Sequence, residues 1–240
     1  MHVALVTGAG RGIGAAVAER LSGAALVVAA DRDGEAAERV AGAVGGEAVE
    51  VDVSDADAVD ALVAGIVERH GRLDRACNNA AVTGIEAAFE AYPRRVFTRV
   101  LEVNAGGVFA CMQAELRQMA DQGAGAIVNV VSGSASLGVP GHSAYVASKH
   151  AVAGLTRTAA IEYAARGIQV NAVAPGLVLT PAMEGLELDE FASAHPIGRA
   201  VEAAEVAEVV AWLLESAPPA LTGALIPVDG GLMAQVPGHP

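Results

Sequence analysis

The 240-residue chain is short of several things, and each shortage removes a class of protein. Phe, Trp and Tyr together make up only 3% of it, so its core must be built from Ala, Val, Leu and Ile rather than from stacked rings. Its two cysteines, Cys77 and Cys111, lie inside apolar segments and share no motif spacing. They read as buried thiols in a reducing compartment, and no disulfide framework is expected. No His, Cys and Asp cluster has metal-ligand spacing, so no metal is expected either. Basic residues are outnumbered by acidic ones, 15 to 28, and the formal net charge of −13 repels phosphate backbones, which argues against a nucleic-acid partner. No run approaches the ~18 apolar residues of a membrane span. The start, MHVALVTGAGRGIG, is apolar too briefly for a signal peptide and has no basic leader. The expectation is a cytoplasmic protein with neither membrane nor nucleic-acid partner.

What is present is a 53% hydrophobic chain whose short apolar runs alternate with longer segments of helical period. HVALVT (2–7), AALVVAA (24–30), EAVEVDV (47–53), LDRACN (73–78), AIVNVVS (126–132), GIQVNAVA (167–174) and ALIPVD (224–229) read as strands. Helices are expected over 12–22, 35–44, 55–71, 96–120, 144–165 and 203–215. Seven strands with helices between them specify a parallel sheet wound on both faces. No repeat, low-complexity stretch or linker divides the 240 residues, so one domain is expected over 1–240. The least regular region, 176–200, has two prolines and three glycines and reads as a substrate-binding loop or lid.

Residues 7–14, TGAGRGIG, close the first strand and open the first helix. Glycines at 8, 12 and 14 allow a tight turn and the close approach of a ligand's phosphates, at a helix end whose free N–H groups suit a pyrophosphate. Gly8, Arg11, Gly12, Ile13 and Gly14 are therefore candidate cofactor contacts. Asp31, ending the second strand, would accept both hydroxyls of an adenosine ribose and repel a 2′-phosphate, which favours NAD over NADP. Arg11 and Arg32 flank the same place and pull the other way. Four residues, just over one helical turn, separate Tyr145 from Lys149 in SAYVASKHA, so a phenol and an ammonium project from one face towards one spot.

TGAGRGIG (7–14), NNAA (78–81), VN (103–104), Ser132, YVASK (145–149) and PGLVLT (175–180), in that order, resemble the classical short-chain dehydrogenase/reductases over nearly the whole chain. The resemblance implies an α/β, single-domain Rossmann fold with a doubly wound, parallel seven-stranded sheet and helices on both faces. It implies hydride transfer between NAD(H) and a secondary alcohol or ketone, with Tyr145 as general acid/base. Lys149, with the positive nicotinamide ring, would lower the phenol from its usual value of about 10 and hold the nicotinamide ribose. Ser132 would orient the reacting oxygen, and Asn104 would interrupt its helix and position a proton-relaying water. Asp52 and Val53 would bind adenine. Asn79 and Ala80 would line the adenosine ribose and the floor of the site, and Pro175, Gly176 and Thr180 would lie along the nicotinamide. Ala81 departs from the family's usual glycine without removing a chemical group. A homotetramer is implied, with helices 96–120 and 144–165 pairing between subunits.

The substrate is expected to meet Ser132, Ser134, Val139, His142, Tyr145 and Met183, with Val82, Thr83, Leu177 and Leu186 nearby. This mostly apolar set has no fixed cation and suits a neutral, small or cyclic alcohol. His70, His150 and His195 read as structural or solvated, and Trp212 as core. An NADPH-dependent 3-oxoacyl-carrier-protein reductase is the alternative enzyme, for which Arg166 is the one residue in favour. A non-catalytic NAD sensor would not need Asn104, Ser132, Tyr145 and Lys149 together.

Overall fold

The computed structural model describes residues 1–179 and 195–235. Strands β1 (His2–Thr7), β2 (Ala25–Asp31), β3 (Glu47–Glu50), β4 (Arg75–Asn78), β5 (Gly125–Val130) and β6 (Ile168–Pro175) alternate with helices α1 (Gly12–Leu21), α2 (Gly34–Val44), α3 (Ala56–His70), α4 (Arg94–Leu101), α5 (Val108–Gln122) and α6 (Ser143–Tyr163). A short pair, β7 (Val178–Leu179) and β8 (Val201–Glu202), precedes α7 (Ala203–Glu215) and β9 (Leu225–Val228). The main sheet has seven strands in the order β3-β2-β1-β4-β5-β6-β9, and every neighbouring pair is parallel.

Alternate residues of each strand serve opposite faces. Val3, Leu5, Val28 and Ala30 pack with Leu62 and Ile66 of α3, Met112 of α5 and Val152 of α6. Ala4, Val6, Val27 and Ala29 pack with Val17 and Leu21 of α1 and Val206 and Val210 of α7. Because rings are scarce, small side chains fill the seams: Ala18, Ala207 and Ala211 are essentially inaccessible, which lets α1 and α7 lie close together. Helix starts are set by local signals. Asp33 accepts from the Ala36 N–H, Asp55 from those of Asp57 and Ala58, and Glu202 with Glu205 forms a capping box on α7. Among the described residues no helix is long and apolar enough to cross a membrane.

The structure corrects the sequence reading in two places. The span expected as one helix over 96–120 is divided, and the break falls at Asn104, where the resemblance implied an interruption: α4 passes into a π-helical segment, Glu102–Gly107, before α5 begins. A π insertion displaces one side chain relative to the regular helix face, and here it accompanies the inward placement of Asn104, which is fully buried. Trp212, expected in the core, is 42% exposed. Val210, Ala211, Leu213 and Leu214 occupy the inner side of α7 and leave the indole on the outer one. Of the expected lid, 180–194 lies outside the described residues, and with it Thr180, Met183 and Leu186.

Candidate active site

The chain leaves β1 for one side of the sheet and enters β4 from the other, so the order reverses between them and a crevice opens at their carboxyl ends. Thr7 and Asn79 staple its two banks. The Thr7 hydroxyl oxygen accepts from the backbone N–H groups of Asn79 (3.1 Å) and Ala80 (3.3 Å), while the Asn79 amide donates to the carbonyls of Thr7 (3.1 Å) and Gly8 (2.9 Å). Asn79 thus shapes the glycine turn, and its amide protons are already used.

Within that turn the glycines are required by contact as well as by conformation. Gly8 has φ +64°, and a Cβ there would stand 2.8 Å from the Ala80 Cα. A Cβ on Gly14 would collide with the Gly8 carbonyl and the Asn79 amide. Gly14→Ala is therefore expected to destabilise the fold by about 1–3 kcal/mol. It should also weaken cofactor binding, read from thermal unfolding with and without cofactor.

Asp31 closes the far side of the turn. Its Oδ2 accepts from Gly10 N–H (2.8 Å) and its Oδ1 from Asp33 N–H (3.0 Å), which aims the carboxylate beside the turn and leaves a lone pair on each oxygen. Asp52 Oδ1 accepts from the Ser54 hydroxyl (2.6 Å) and N–H (2.9 Å), and its Oδ2 from Arg99 (2.9 Å). The Ser54 hydroxyl above all, then its N–H and Arg99, holds Asp52 down to about 2. Val53 beside it packs against Gly107, where any Cβ would meet its side chain at 2.7 Å.

The catalytic candidates come from three elements. Tyr145 and Lys149 share the first turns of α6, with the ammonium 5.5 Å from the ring centroid. Lys149 Nζ donates to the Val130 carbonyl at 2.9 Å, and burial lowers it to about 8. Ser132 follows β5, its hydroxyl oxygen accepting from Ser134 N–H at 3.2 Å. Burial raises the Tyr145 phenol and a hydrogen bond with Ser132 opposes this. The depression expected of this phenol belongs to the complex with a positive nicotinamide ring, and burial alone pushes the other way. Asn104 Oδ1 accepts from Val82 N–H (2.8 Å), and its amide donates to the Val82 carbonyl (2.8 Å) and the Ser148 hydroxyl (3.0 Å). Its side chain braces the loop after β4 against α6.

Most of these groups line one cavity of about 620 Å³, within the usual ligand-site range of roughly 300–1,000 Å³. Gly8, Arg11, Gly12, Ile13, Asp31, Asp52, Val53, Asn79 and Ala80 lie along it with Ser132, Tyr145, Lys149, Pro175 and Gly176. The described part of the expected substrate set, Val82, Thr83, Ser134, Val139, His142 and Leu177, lines it too. Asn104 is not among its walls. His195 is buried behind them, its Nε2 accepting from Leu177 N–H at 3.1 Å.

Sequence reasoning missed Arg99, Leu137, Leu232 and Met233 as lining residues. Leu232 and Met233 arrive on a turn held by Asp229, whose Oδ1 and Oδ2 accept from the N–H groups of Gly231 (3.0 Å) and Met233 (2.9 Å). The DGG in ALIPVDGG was the available signal for that turn, though not for its destination.

The profile of a protein family described as enoyl-(acyl-carrier-protein) reductase matches residues 8–233. A 2,5-dichloro-2,5-cyclohexadiene-1,4-diol dehydrogenase of Sphingobium indicum is 42% identical, with 96% of each chain covered. A cis-4-hydroxycyclohexanecarboxylate dehydrogenase of Sinomonas cyclohexanicum is 43% identical over 97% of each. A 3-oxoacyl-[acyl-carrier-protein] reductase of Staphylococcus aureus is 38% identical, covering 95% of this chain and 97% of its own. Among solved structures, levodione reductase superposes with a TM-score of 0.93 at 36% identity, over 98% of each chain. NAD+-bound xylitol dehydrogenase gives 0.90 at 34%, over 96% of this chain and 98% of that one. ElxO with NADP bound gives 0.93 at 31%, over 98% and 99%. With this fold, this cavity and relatives of this identity along nearly its whole length, the chain belongs to the classical short-chain dehydrogenase/reductase family.

Proposed function

We propose that the protein is an NAD-dependent dehydrogenase of uncharged secondary alcohols on small rings, acting reversibly on the matching ketones. The observation that carries the reading is the convergence of Ser132, Tyr145 and Lys149 on a cavity that also contains the glycine turn and Asp31. A dinucleotide fits that cavity: the turn has no room for a Cβ at Gly8 or Gly14, and Asp31 keeps one acceptor free on each oxygen. Gly8, Arg11, Gly12, Ile13 and Gly14 would hold its pyrophosphate, Asp31 its adenosine ribose, Asp52 and Val53 its adenine, and Lys149, Pro175 and Gly176 its nicotinamide half. When bound, the nicotinamide supplies the hydride acceptor.

The chain's own residues handle the proton. Ser132 donates to the substrate oxygen and orients it. Tyr145 takes the hydroxyl proton during oxidation and returns it during reduction. A buried phenol is a weak base, and the Lys149 ammonium, held by the Val130 carbonyl, stabilises the phenolate as it forms. Asn104 keeps the loop carrying Val82 and the helix carrying Tyr145 in fixed relation.

The substrate class follows from what surrounds the reacting oxygen. Val82, Leu137, Val139, Leu177, Leu232 and Met233 provide apolar walls. Among the described residues the cations along the cavity are Lys149, Arg11, Arg32 and Arg99; Arg11 stands in the glycine turn, Arg32 beside Asp31 and Arg99 on Asp52. Relatives named for cyclic alcohols and diols support the same class. The test is a panel of cyclohexanols, cyclic diols and linear secondary alcohols with NAD, followed by absorbance of the reduced cofactor. Turnover of the cyclic members with kcat/KM at least tenfold above the linear ones is expected, and equal or reversed preference overturns the assignment.

NADPH-dependent reduction of the 3-oxo group of a 3-oxoacyl-carrier protein is the second reading, favoured by the Staphylococcus aureus relative. Arg166 is the residue that the sequence offers in its favour. It stands 21 residues beyond Tyr145, which is roughly 30 Å along the helical direction, and stacks on Tyr163 at 5.6 Å.

A homotetramer is part of the proposal. Phe97 of α4, Phe109 of α5 and Ile161 of α6 are 36%, 52% and 82% exposed, and Trp212 of α7 is exposed on another flank. Rings are scarce in this chain, yet several stand outside the core, which is the pattern of faces covered by further copies. Light scattering at micromolar concentration should return about four times the mass of one 24.0 kDa chain. A monomer refutes the prediction.

A further inference from the structure

Beneath the site, on the face of the sheet covered by α3, α5 and α6, four buried polar side chains form a strap. Glu115 of α5, Asn129 of β5 and Thr156 of α6 are 0% exposed and Asn78 of β4 is 1% exposed. Thr156 donates its hydroxyl to the Val152 carbonyl at 2.8 Å and so can only accept from the Asn129 amide, at 2.9 Å. That orients Asn129 Oδ1 towards Asn78, whose Nδ2 donates to it at 3.1 Å. The other proton of Asn78 Nδ2 goes to Glu115 Oε2 at 3.0 Å. Each bond fixes the direction of the next, and two atoms are left over: Asn78 Oδ1 and Glu115 Oε1, both buried acceptors without a partner. An acid and an amide already joined by one hydrogen bond lack only a proton to make a second.

Ionised, Glu115 would have no counter-charge: among the described residues it joins no salt bridge. The titratable groups that feel its charge are the thiols of Cys77 on β4 and Cys111 on its own helix. Asp60 of α3 and Arg117 of α5 pair with each other at the surface, Lys149 of α6 is held by Val130, and Arg157 and Glu162 of α6 are exposed. On this face β5 contributes the amide of Asn129 and the apolar Ile127.

We propose that Glu115 is held as a neutral carboxylic acid whose Oε1–H donates to Asn78 Oδ1, and that this acid–amide pair anchors a strap, through Asn129 and Thr156, that positions helix α6 and hence Tyr145 and Lys149. The positioning half rests on the assignment of Tyr145 and Lys149 as the acid/base pair; the protonation half does not. Burial agrees, raising Glu115 to about 7 against the opposing hydrogen bond from Asn78. Above that pH the proton leaves to solvent, one bond of the pair is lost, and the strap is anchored by a single bond to a buried charge.

Glu115→Gln is the informative variant, because its amide N–H donates to the same acceptor while its oxygen still accepts from Asn78, with no titration. A wild-type minus E115Q infrared difference spectrum should contain the C=O band of a protonated carboxylic acid below pH 7, fading above it. The native state keeps the proton between 4.5 and about 7 while the unfolded chain has lost it. Stability of wild type relative to E115Q is therefore full below 4.5 and falls with rising pH across that window, by up to roughly tenfold per unit in folding constant, then levels. Absence of the band with a flat stability ratio overturns the neutral acid, whatever the enzyme does.

For positioning, kcat of wild type relative to E115Q should fall roughly threefold or more as pH passes through about 7. Thr156→Val, which cuts the strap at α6, should abolish that pH-dependent ratio. A flat ratio in the presence of the infrared band, or a ratio that persists after Thr156→Val, overturns the positioning role and leaves the acid/base assignment intact.

Discussion

Tyr145→Phe should lower kcat by at least two orders of magnitude, about 2.7 kcal/mol or more of transition-state stabilisation, while the fold and cofactor affinity stay as they are. The ring sits in the first turn of α6 above a buried lysine, and Phe fills the same volume. What disappears is one oxygen, and with it the group proposed to exchange a proton with the substrate, which also meets the Ser132 hydroxyl. Its neighbours, Ser132 and Lys149, are each held by contacts that do not involve it, to Ser134 and to Val130. The local geometry should therefore survive. Single-turnover rates and cofactor titration separate the two effects. A Phe variant that turns over near the wild-type rate removes Tyr145 from the mechanism.

Asp31→Ser should move the cofactor preference, as the ratio of kcat/KM for NAD and NADP, at least tenfold towards NADP. Charge-assisted hydrogen bonds to the ribose are worth about 1.5–3 kcal/mol and would be lost for NAD. NADP gains by removal of a repelling anion in a cavity where Arg11 and Arg32 already stand. The structure adds a second consequence. Asp31 also accepts from the N–H groups of Gly10 and Asp33, so serine loosens the glycine turn and both cofactors should bind somewhat less tightly than their best. The wild-type measurement is the sharper one: a clear NADP preference with Asp31 in place would mean that the arginines dominate.

The sheet was legible in the sequence because most strands are apolar runs closed by a glycine, serine, aspartate, asparagine or proline, and glycine or serine marks the ends of most helices. The glycine turn, Asp31, Ser132 and the Tyr145–Lys149 pair were legible because each needs a residue type at a fixed spacing. Residues brought in from elsewhere were not. Arg99 reaches Asp52 across 47 residues and Met233 reaches the cavity from the far end of the fold, and no local pattern encodes either approach. Glu115 was hidden for the opposite reason. In VFACMQAELRQM it reads as one more solvated helix position, and only its complete burial reveals otherwise. Trp212 failed by the same logic reversed, since apolar neighbours on both sides disguised an outward-facing ring.

The turn held by Asp229 bears on how such a protein changes its diet. One wall of the substrate end is built from Leu232 and Met233, another from the loop that carries Leu137 and Val139, and a third from Val82 and Thr83. These three stretches are far apart in sequence, and each hangs from the rim of the same sheet without taking part in its hydrogen bonding. Exchange of side chains at 137–139 or 232–233 would reshape part of the chamber without changing Ser132, Tyr145, Lys149 or the glycine turn, whereas Val82 also packs against the core. If the proposed substrate class holds, a lineage, or an engineer, could retune the substrate end one stretch at a time. Libraries randomised at 82–83, 137–139 and 232–233 would be the compact way to explore it.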